Sequence, residues 1–170
     1  SSDSSPAAGP PKPAVSPRPP PDMPPEPPGV QPWPKISSRP VGDFRIFTIR
    51  SELKVNPRTG RHCDLYVIDT TNWVNVIAIT PQKQLVMVEQ FRHGSETVEL
   101  EIPGGMMDPG ESDPIAAGLR ELREETGYVG DNPRLIGRVF PNAAIMSNTC
   151  HTLLVENCHL THDIELDQGE

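Results

Sequence analysis

The sequence predicts an α/β fold, a mixed sheet with helix cover on at least one face. Three observations carry that expectation. Seven short runs show the alternating or continuous apolar pattern of strands. One helix, over residues 114–126, is punctuated at both ends. Two adjoining runs, 73–80 and 84–90, are the most apolar in the chain, as strands in the middle of a sheet must be.

Residues 1–34 hold 14 of the 22 prolines, mixed with Ser, Ala and Gly. Such a segment has too few apolar side chains to offset its ordering entropy, which predicts a disordered tail with local polyproline II character. Arg18, Pro21 and Pro24 spell R-x-x-P-x-x-P, a ligand pattern for proline-recognition domains. In a tract this rich in proline such a match arises easily by accident, and a linker or tail is favoured over a docking site. The folded domain is placed at 35–170, with order beginning near Trp33. Residues 44–50 alternate apolar and polar, as a half-buried strand does, and 56–60 read as a turn. Residues 63–69 form the second strand, 70–72 break it, and 73–80 form the third. A turn at 81–83 leads into 84–90, so these two strands are expected to make a hairpin. The pattern stops at 91–94 and resumes over 97–101, just ahead of Pro103, Gly104 and Gly105. Beyond the helix, 135–140 and 148–156 read as strands around a loop at 141–147.

The formal net charge is −8 and the sequence pI about 5.1, which excludes a nucleic-acid backbone as a major partner. A phosphorylated small molecule remains open, through a local arginine or a metal. Cys63, Cys150 and Cys158 form an odd, unpatterned set, expected as reduced thiols in a cytoplasmic compartment. No apolar run approaches the roughly 18 residues of a membrane span, so no membrane partner is expected. Cys150 with His151, and Cys158 with His159 and His162, offer soft metal ligands, but the close pairs of a zinc site are absent. Cys150 and His151 also fall on opposite faces of a strand. Trp33 and Trp73 read as core or dimer anchors rather than base-stacking platforms.

The helix carries the chemistry. Asp113 can cap its free N–H groups, Pro114 suits the first helical position, and Gly127 supplies the left-handed stop. Glu121, Glu124 and Glu125 are related as i, i+3 and i+4 and project from one side. Like charges so placed repel by roughly a few tenths of a kcal/mol per pair, which a solvated helix has no reason to accept. A divalent cation reverses the sign of that cost, and carboxylate oxygens suit Mg²⁺ or Mn²⁺. The bland alternative is a surface helix with Arg120 and Glu124 as an ordinary i,i+4 pair. The flanks weigh against it: Gly104 and Gly105 precede the helix, Glu111 lies between loop and helix, and Gly127 follows the last Glu.

Gly105, Glu111, Arg120, Glu121, Leu122, Glu124, Glu125, Gly127 and Tyr128 together resemble the Nudix box, G-x5-E-x7-R-E-U-x-E-E-x-G-U. Two departures stand out: eight residues rather than seven separate Glu111 from Arg120, and Tyr128 replaces an aliphatic residue. The extra residue falls at Ser112 or Asp113, ahead of Pro114, and leaves the Glu face in register. The resemblance extends through EQFRHG at 89–94 and LEIPGG at 100–105 to the ADP-ribose pyrophosphatase branch, with Pro141 as the branch's loop proline. It implies a Nudix-like α/β/α sandwich and hydrolysis of the pyrophosphate of a nucleoside diphosphate sugar with Mg²⁺ or Mn²⁺. On that resemblance Glu121 and Glu125 are the metal ligands, Glu124 and Arg120 support them, and the Gly104 carbonyl is the backbone ligand. Glu111 orients Arg120, and Gly105 and Gly127 shape the loop and helix end. Arg92, Glu101 and Pro141 are the substrate-contact candidates; a surface Arg and a plain ion pair are the competing readings of the first two. The general base of this branch comes from a late acidic loop, here 167–170, with Glu170 as candidate. The resemblance further implies a homodimer through strands at about 42–70. It also implies a further strand and helix after the last residues, so a truncated domain is expected. Two alternatives stay open: a Nudix hydrolase of another nucleotide, such as a dinucleoside polyphosphate, and an inactive Nudix-like module that docks partners.

Overall fold

The structure, a computed structural model, describes residues 29–165. The proline motif from Arg18 to Pro24 and the acidic stretch 167–170 lie outside the described residues. Among those residues are nine strands and one helix, within the unit that begins at Pro32.

Four strands make the central sheet. In chain order they are β4 (Trp73–Ala78), β7 (Gly104–Met106), β8 (Tyr128–Val139) and β9 (Cys150–Leu160). The sheet runs β7-β4-β9-β8, with β4 and β9 parallel and the other pairs antiparallel. It is the mixed sheet that the sequence predicts. Helix α1 (Pro114–Thr126) covers one face, with the bounds read from the sequence. Asp113 is extended and its carboxylate accepts from the Ile115 N–H at 2.9 Å. Gly127, at φ 71°, gives its N–H to the Arg123 carbonyl. Under the helix, Val76, Ala78, Leu122, Leu153 and Val155 are sealed from solvent, and Val74, Met107 and Ala117 form a smaller cluster nearer the glycines. Each such valine, leucine or methionine side chain contributes roughly 1.5–3 kcal/mol of burial.

Three sequence expectations need correction. Residues 44–50 are not one strand. β1 (Lys35–Asp43) and β2 (Thr48–Val55) flank a tight turn there, in which Arg45 is left-handed, its N–H meets Asp43 Oδ1, and Phe44 stacks on Phe47. Alternating apolar residues can mark a turn whose side chains pack on one another. Residues 84–90 do not lie in the middle of the sheet. They meet the chain just past β4 through one bridge, Ile79 to Leu85, and then leave to form β5 (Val88–Arg92), which among the described residues pairs with β6 (Thr97–Glu101) alone. The neighbour of β4 on that side is instead the short glycine strand β7. Lastly, the strand expected at 135–140 starts seven residues earlier, since β8 passes Pro133 on a bulge with Asn132 left-handed.

β1, β2 and β3 (His62–Asp69) form a separate antiparallel sheet. Glu52, at its centre, is 2% exposed and is ringed by Lys54 at 2.8 Å, Arg50 at 2.9 Å and Lys35 at 3.1 Å. Hydrogen bonds from Lys54 and Arg50 outweigh burial and hold its carboxyl at about 2. Asp69 bonds both Arg50 and Ser147, and the Ile68 main chain pairs with Ile145 and Ser147, tying this sheet to the 141–147 loop.

A carboxyl whose folded value lies below its usual 4.5 stabilises the fold above pH 4.5 and loses that contribution as pH falls toward 2. Glu52→Gln is therefore expected to lower stability at neutral pH by roughly 1–3 kcal/mol, since it leaves three cations around a neutral amide. Thermal melts across the acid range should show a shallower loss of stability for the variant than for the parent.

Candidate functional site

The last two turns of α1 press Glu121 and Glu125 against β7. Both are nearly buried, at 8% and 6% exposure. The Gly104 N–H donates to Glu125 Oε2 at 2.8 Å. The Glu121 carboxylate lies against the Gly105 Cα, so closely that a Cβ there would stand 2.7–2.8 Å from its carbon and both oxygens. Arg120 holds the rest together. Its Nη1 is 3.0 Å from both Glu121 Oε1 and Glu124 Oε2, and its Nη2 is 3.4 Å from Glu111 Oε2. Burial alone would lower the Arg120 guanidinium, but the Glu124 hydrogen bond and the charges of Glu121, Glu111 and Glu124 raise it well above its ordinary value. Glu111 also accepts from the Asp108 N–H at 3.0 Å, so the eighth residue between Glu111 and Arg120 does not part them. Gly127 closes the helix directly behind Glu125 and Thr126.

The donor set suits a hard divalent cation. Among the described residues no three His, Cys, Asp or Glu side chains converge as a closed metal cage. A hard cation that keeps part of its water shell needs only one or two carboxylates and a main-chain oxygen. Pro103 takes the Val76 N–H, and Asn75 faces Gly104 in register, so Gly104 turns its main-chain groups away from β4 toward the free edge. Its carbonyl therefore faces the same edge as the N–H that meets Glu125. All of these donors are oxygens, as Mg²⁺ or Mn²⁺ prefers.

Two cavities adjoin the Glu face. One, of about 580 Å³, is lined by Arg92, Glu101, Gly104, Gly105, Trp73 and Asn75, among others. Arg92 and Glu101 join across its rim by two hydrogen bonds, 2.8 and 2.9 Å, which hold the Glu101 carboxyl below its usual range. The other, of about 430 Å³, reaches Glu125 and is lined by Phe91, His93, Tyr128 and Ile164, with Phe91 and His93 edge to face. The structure thus brings Glu121, Glu124, Glu125, Arg120, Glu111, Gly104 and Gly105 together, with Arg92 and Glu101 on the adjoining wall. Pro141 begins the 141–147 turn and lines neither cavity. Trp73 and Asn75 escape the sequence reading as site residues. The available signal is alternation, which sets them on the face of β4 opposite the helix-packed Val74 and Val76.

A mixed sheet thus carries a capped carboxylate helix against a two-glycine edge, with oxygen atoms of the kind a hard divalent cation prefers. The NUDIX domain family matches residues 70–169, and the chain belongs to the Nudix family. It is 35% identical over 98 residues to an ADP-ribose pyrophosphatase of Bacillus subtilis (strain 168), covering 57% of this chain and 52% of that one. It is 39% identical over 104 residues to an ADP-sugar pyrophosphatase of Mus musculus, covering 61% and 45%. The chain thus spans about half the length of the curated relatives it matches. A crystal structure described as an ADP compounds hydrolase superposes with a TM-score of 0.71 at 22% identity, over 84% of this chain and 76% of that one, which shows the shared fold. Among the described residues no helix is long and apolar enough to cross a membrane.

The two glycines should respond differently to a methyl group. At Gly104 a Cβ would meet the Val74 carbonyl oxygen at 2.3 Å, and main chain cannot step aside. Gly104→Ala is expected to cost roughly 1–3 kcal/mol of stability through the β4–β7 pair. At Gly105 the obstacle is the end of a flexible side chain, so Gly105→Ala should keep most of its stability and lose divalent-cation affinity. Melting curves alongside Mn²⁺ titration followed by electron paramagnetic resonance separate the two.

Proposed function

We propose that this chain carries the catalytic centre of a Nudix pyrophosphohydrolase that cleaves ADP-ribose or a related nucleoside diphosphate sugar to a nucleoside monophosphate and a sugar phosphate. The observation that carries the reading is the pair of buried carboxylates, Glu121 and Glu125, seated against Gly104 and Gly105 beneath Arg120. The names of the Bacillus and mouse relatives support the substrate class.

In this reading Glu121, Glu125 and the Gly104 carbonyl hold Mg²⁺ or Mn²⁺. Bound there, the cation supplies neutralisation of pyrophosphate charge and a water of lowered pKa. Arg120 aims Glu121 and Glu124 through ion pairs of 3.0 Å and offsets part of their mutual repulsion. Glu111 fixes Arg120 and the Asp108 turn. Arg92, buttressed by Glu101, presents a planar guanidinium to the phosphates. Phosphoryl transfer asks little covalent chemistry of the protein, so this positioning and charge balance is what the residues contribute. The base candidate, Glu170, lies outside the described residues. Pairing of two copies through the β1–β3 sheet completes the proposal; Ile36, Val41, Phe44 and Ile46 leave apolar surface there.

With Mg²⁺, ADP-ribose should yield AMP and ribose 5-phosphate by chromatography. Glu125→Gln should lower turnover by about 10²-fold or more without loss of fold, since it removes a charge that acts in the transition state. A panel of nucleotide sugars left intact by the protein would sink the proposal.

A further inference from the structure

Beyond β9 the chain folds back against the C-terminal end of α1, and main-chain hydrogen bonds hold it there. The Thr161 and His162 N–H groups both donate to the Gly127 carbonyl, at 3.0 and 3.1 Å. The Glu165 N–H donates to the Glu124 carbonyl at 2.8 Å. All five side chains of residues 161–165 are exposed, so burial does not account for the path. The Glu165 carboxylate stands 4.0 Å from Arg123, a surface pair of small worth. The fit at Gly127 is close: a Cβ there would lie 2.1 Å from the His162 carbonyl oxygen. Ile164 lines the smaller cavity together with Glu125 and Thr126, so this segment and the carboxylate turn bound the same space.

The bonds fall where a helix is weakest. The last four carbonyls of an α-helix have no partner within it, and the end frays. In α1 these belong to residues 123–126. The Gly127 N–H takes the Arg123 carbonyl, and Glu165 takes that of Glu124. The same last turn carries two of the box carboxylates: Glu124, paired with Arg120, and Glu125, which receives the Gly104 N–H. Fraying by one turn would swing Glu125 away from β7. A group that holds a ligand has to stay within about 0.5 Å of its place, and contacts behind it provide that support.

We infer that residues 161–165 are a positioning strap for the cation-binding turn: the Glu165 amide, by holding the Glu124 carbonyl, keeps Glu124 and Glu125 set against β7. The inference rests on the metal-assisted reading above and adds a residue that acts through the ligands without touching the cation. Coupling of this kind is reciprocal, so a bond that favours cation binding is itself tightened by the cation.

The test reads both directions of the coupling. In ¹⁵N-labelled protein, saturating Mg²⁺ should shift the Gly104 amide signal and slow hydrogen exchange at the Glu165 amide by at least threefold. Glu165→Pro removes the amide hydrogen and should weaken Mn²⁺ binding, followed by electron paramagnetic resonance, by roughly three- to tenfold. Glu165→Ala keeps the amide and should keep the parent's Mn²⁺ affinity. Should the proline variant fail to fold, the exchange measurement on the parent decides alone. If Gly104 responds to Mg²⁺ while exchange at Glu165 does not change, the strap is only a helix cap; the inference is overturned and the metal reading stands. Equal Mn²⁺ affinity of the proline and alanine variants overturns it in the same way. If Mg²⁺ moves no amide signal and the parent binds no Mn²⁺, the metal reading falls and takes the strap's role with it.

Discussion

The site depends on one electrostatic constraint: carboxylates that repel one another are held together, half out of water, on a single helix face. Glu121 and Glu125 are almost fully buried, and Glu111 and Glu124 stand close by. Such a cluster persists only if opposite charge or hydrogen-bond donors surround it. Arg120 answers part of the demand by reaching Glu111, Glu121 and Glu124 at once, and the Gly104 amide answers another part. Arg123 adds a further contact to Glu124 at 3.5 Å, and the oxygens gathered at this edge are what the proposed divalent cation would meet. Much of the local architecture serves this arrangement. The cap at Asp113 and the stop at Gly127 set the helix's length and phase, and the Leu122 side presses it onto the sheet so that the Glu side meets β7.

That helix is legible in the sequence because its signals are local. A capping aspartate, a proline in the first turn and a glycine after the last need no tertiary context, and i, i+3, i+4 spacing puts the carboxylates on one face. Elsewhere the controlling information is not local. β1 is mostly polar and exposed, so no apolar pattern announces it; only its pairing with β2 makes it a strand. Residues 84–90 look like a central strand because they are apolar, yet the place beside β4 goes to three residues of glycine and methionine. Main-chain complementarity wins there: at Gly104 any side chain would strike the β4 backbone. The motif singles out Gly105, but its role as the seat for Glu121 depends on tertiary placement that the motif does not state.

The small N-terminal sheet shows a second use of charge. Glu52 is surrounded by two lysines and an arginine, the inverse of the helix cluster, and Arg50 passes the interaction to Asp69 and Ser147. A depressed carboxyl makes this centre self-sufficient, with no need of a metal. The same side-chain chemistry thus gives a closed structural knot in one sheet and a carboxylate-lined edge in the other, where Arg120 reaches three carboxylates at once.

The position of the site at the free edge of β7 has a further consequence. Exposed strand edges invite pairing with other chains, and proteins usually blunt them. Here the Gly104 N–H donates to Glu125, so a side chain of the helix covers that part of the edge. It also makes β4 serve two masters. Val74 and Val76 pack the helix that carries the carboxylates, while Trp73 and Asn75, one step out of phase, line the adjoining cavity, which Val74 also reaches. A slip of one residue in the β4 register would exchange the two sets, putting an indole and an amide into the core and valines into the cavity. Core packing and cavity chemistry are therefore bound to the same few residues, and neither can change register without destroying the other.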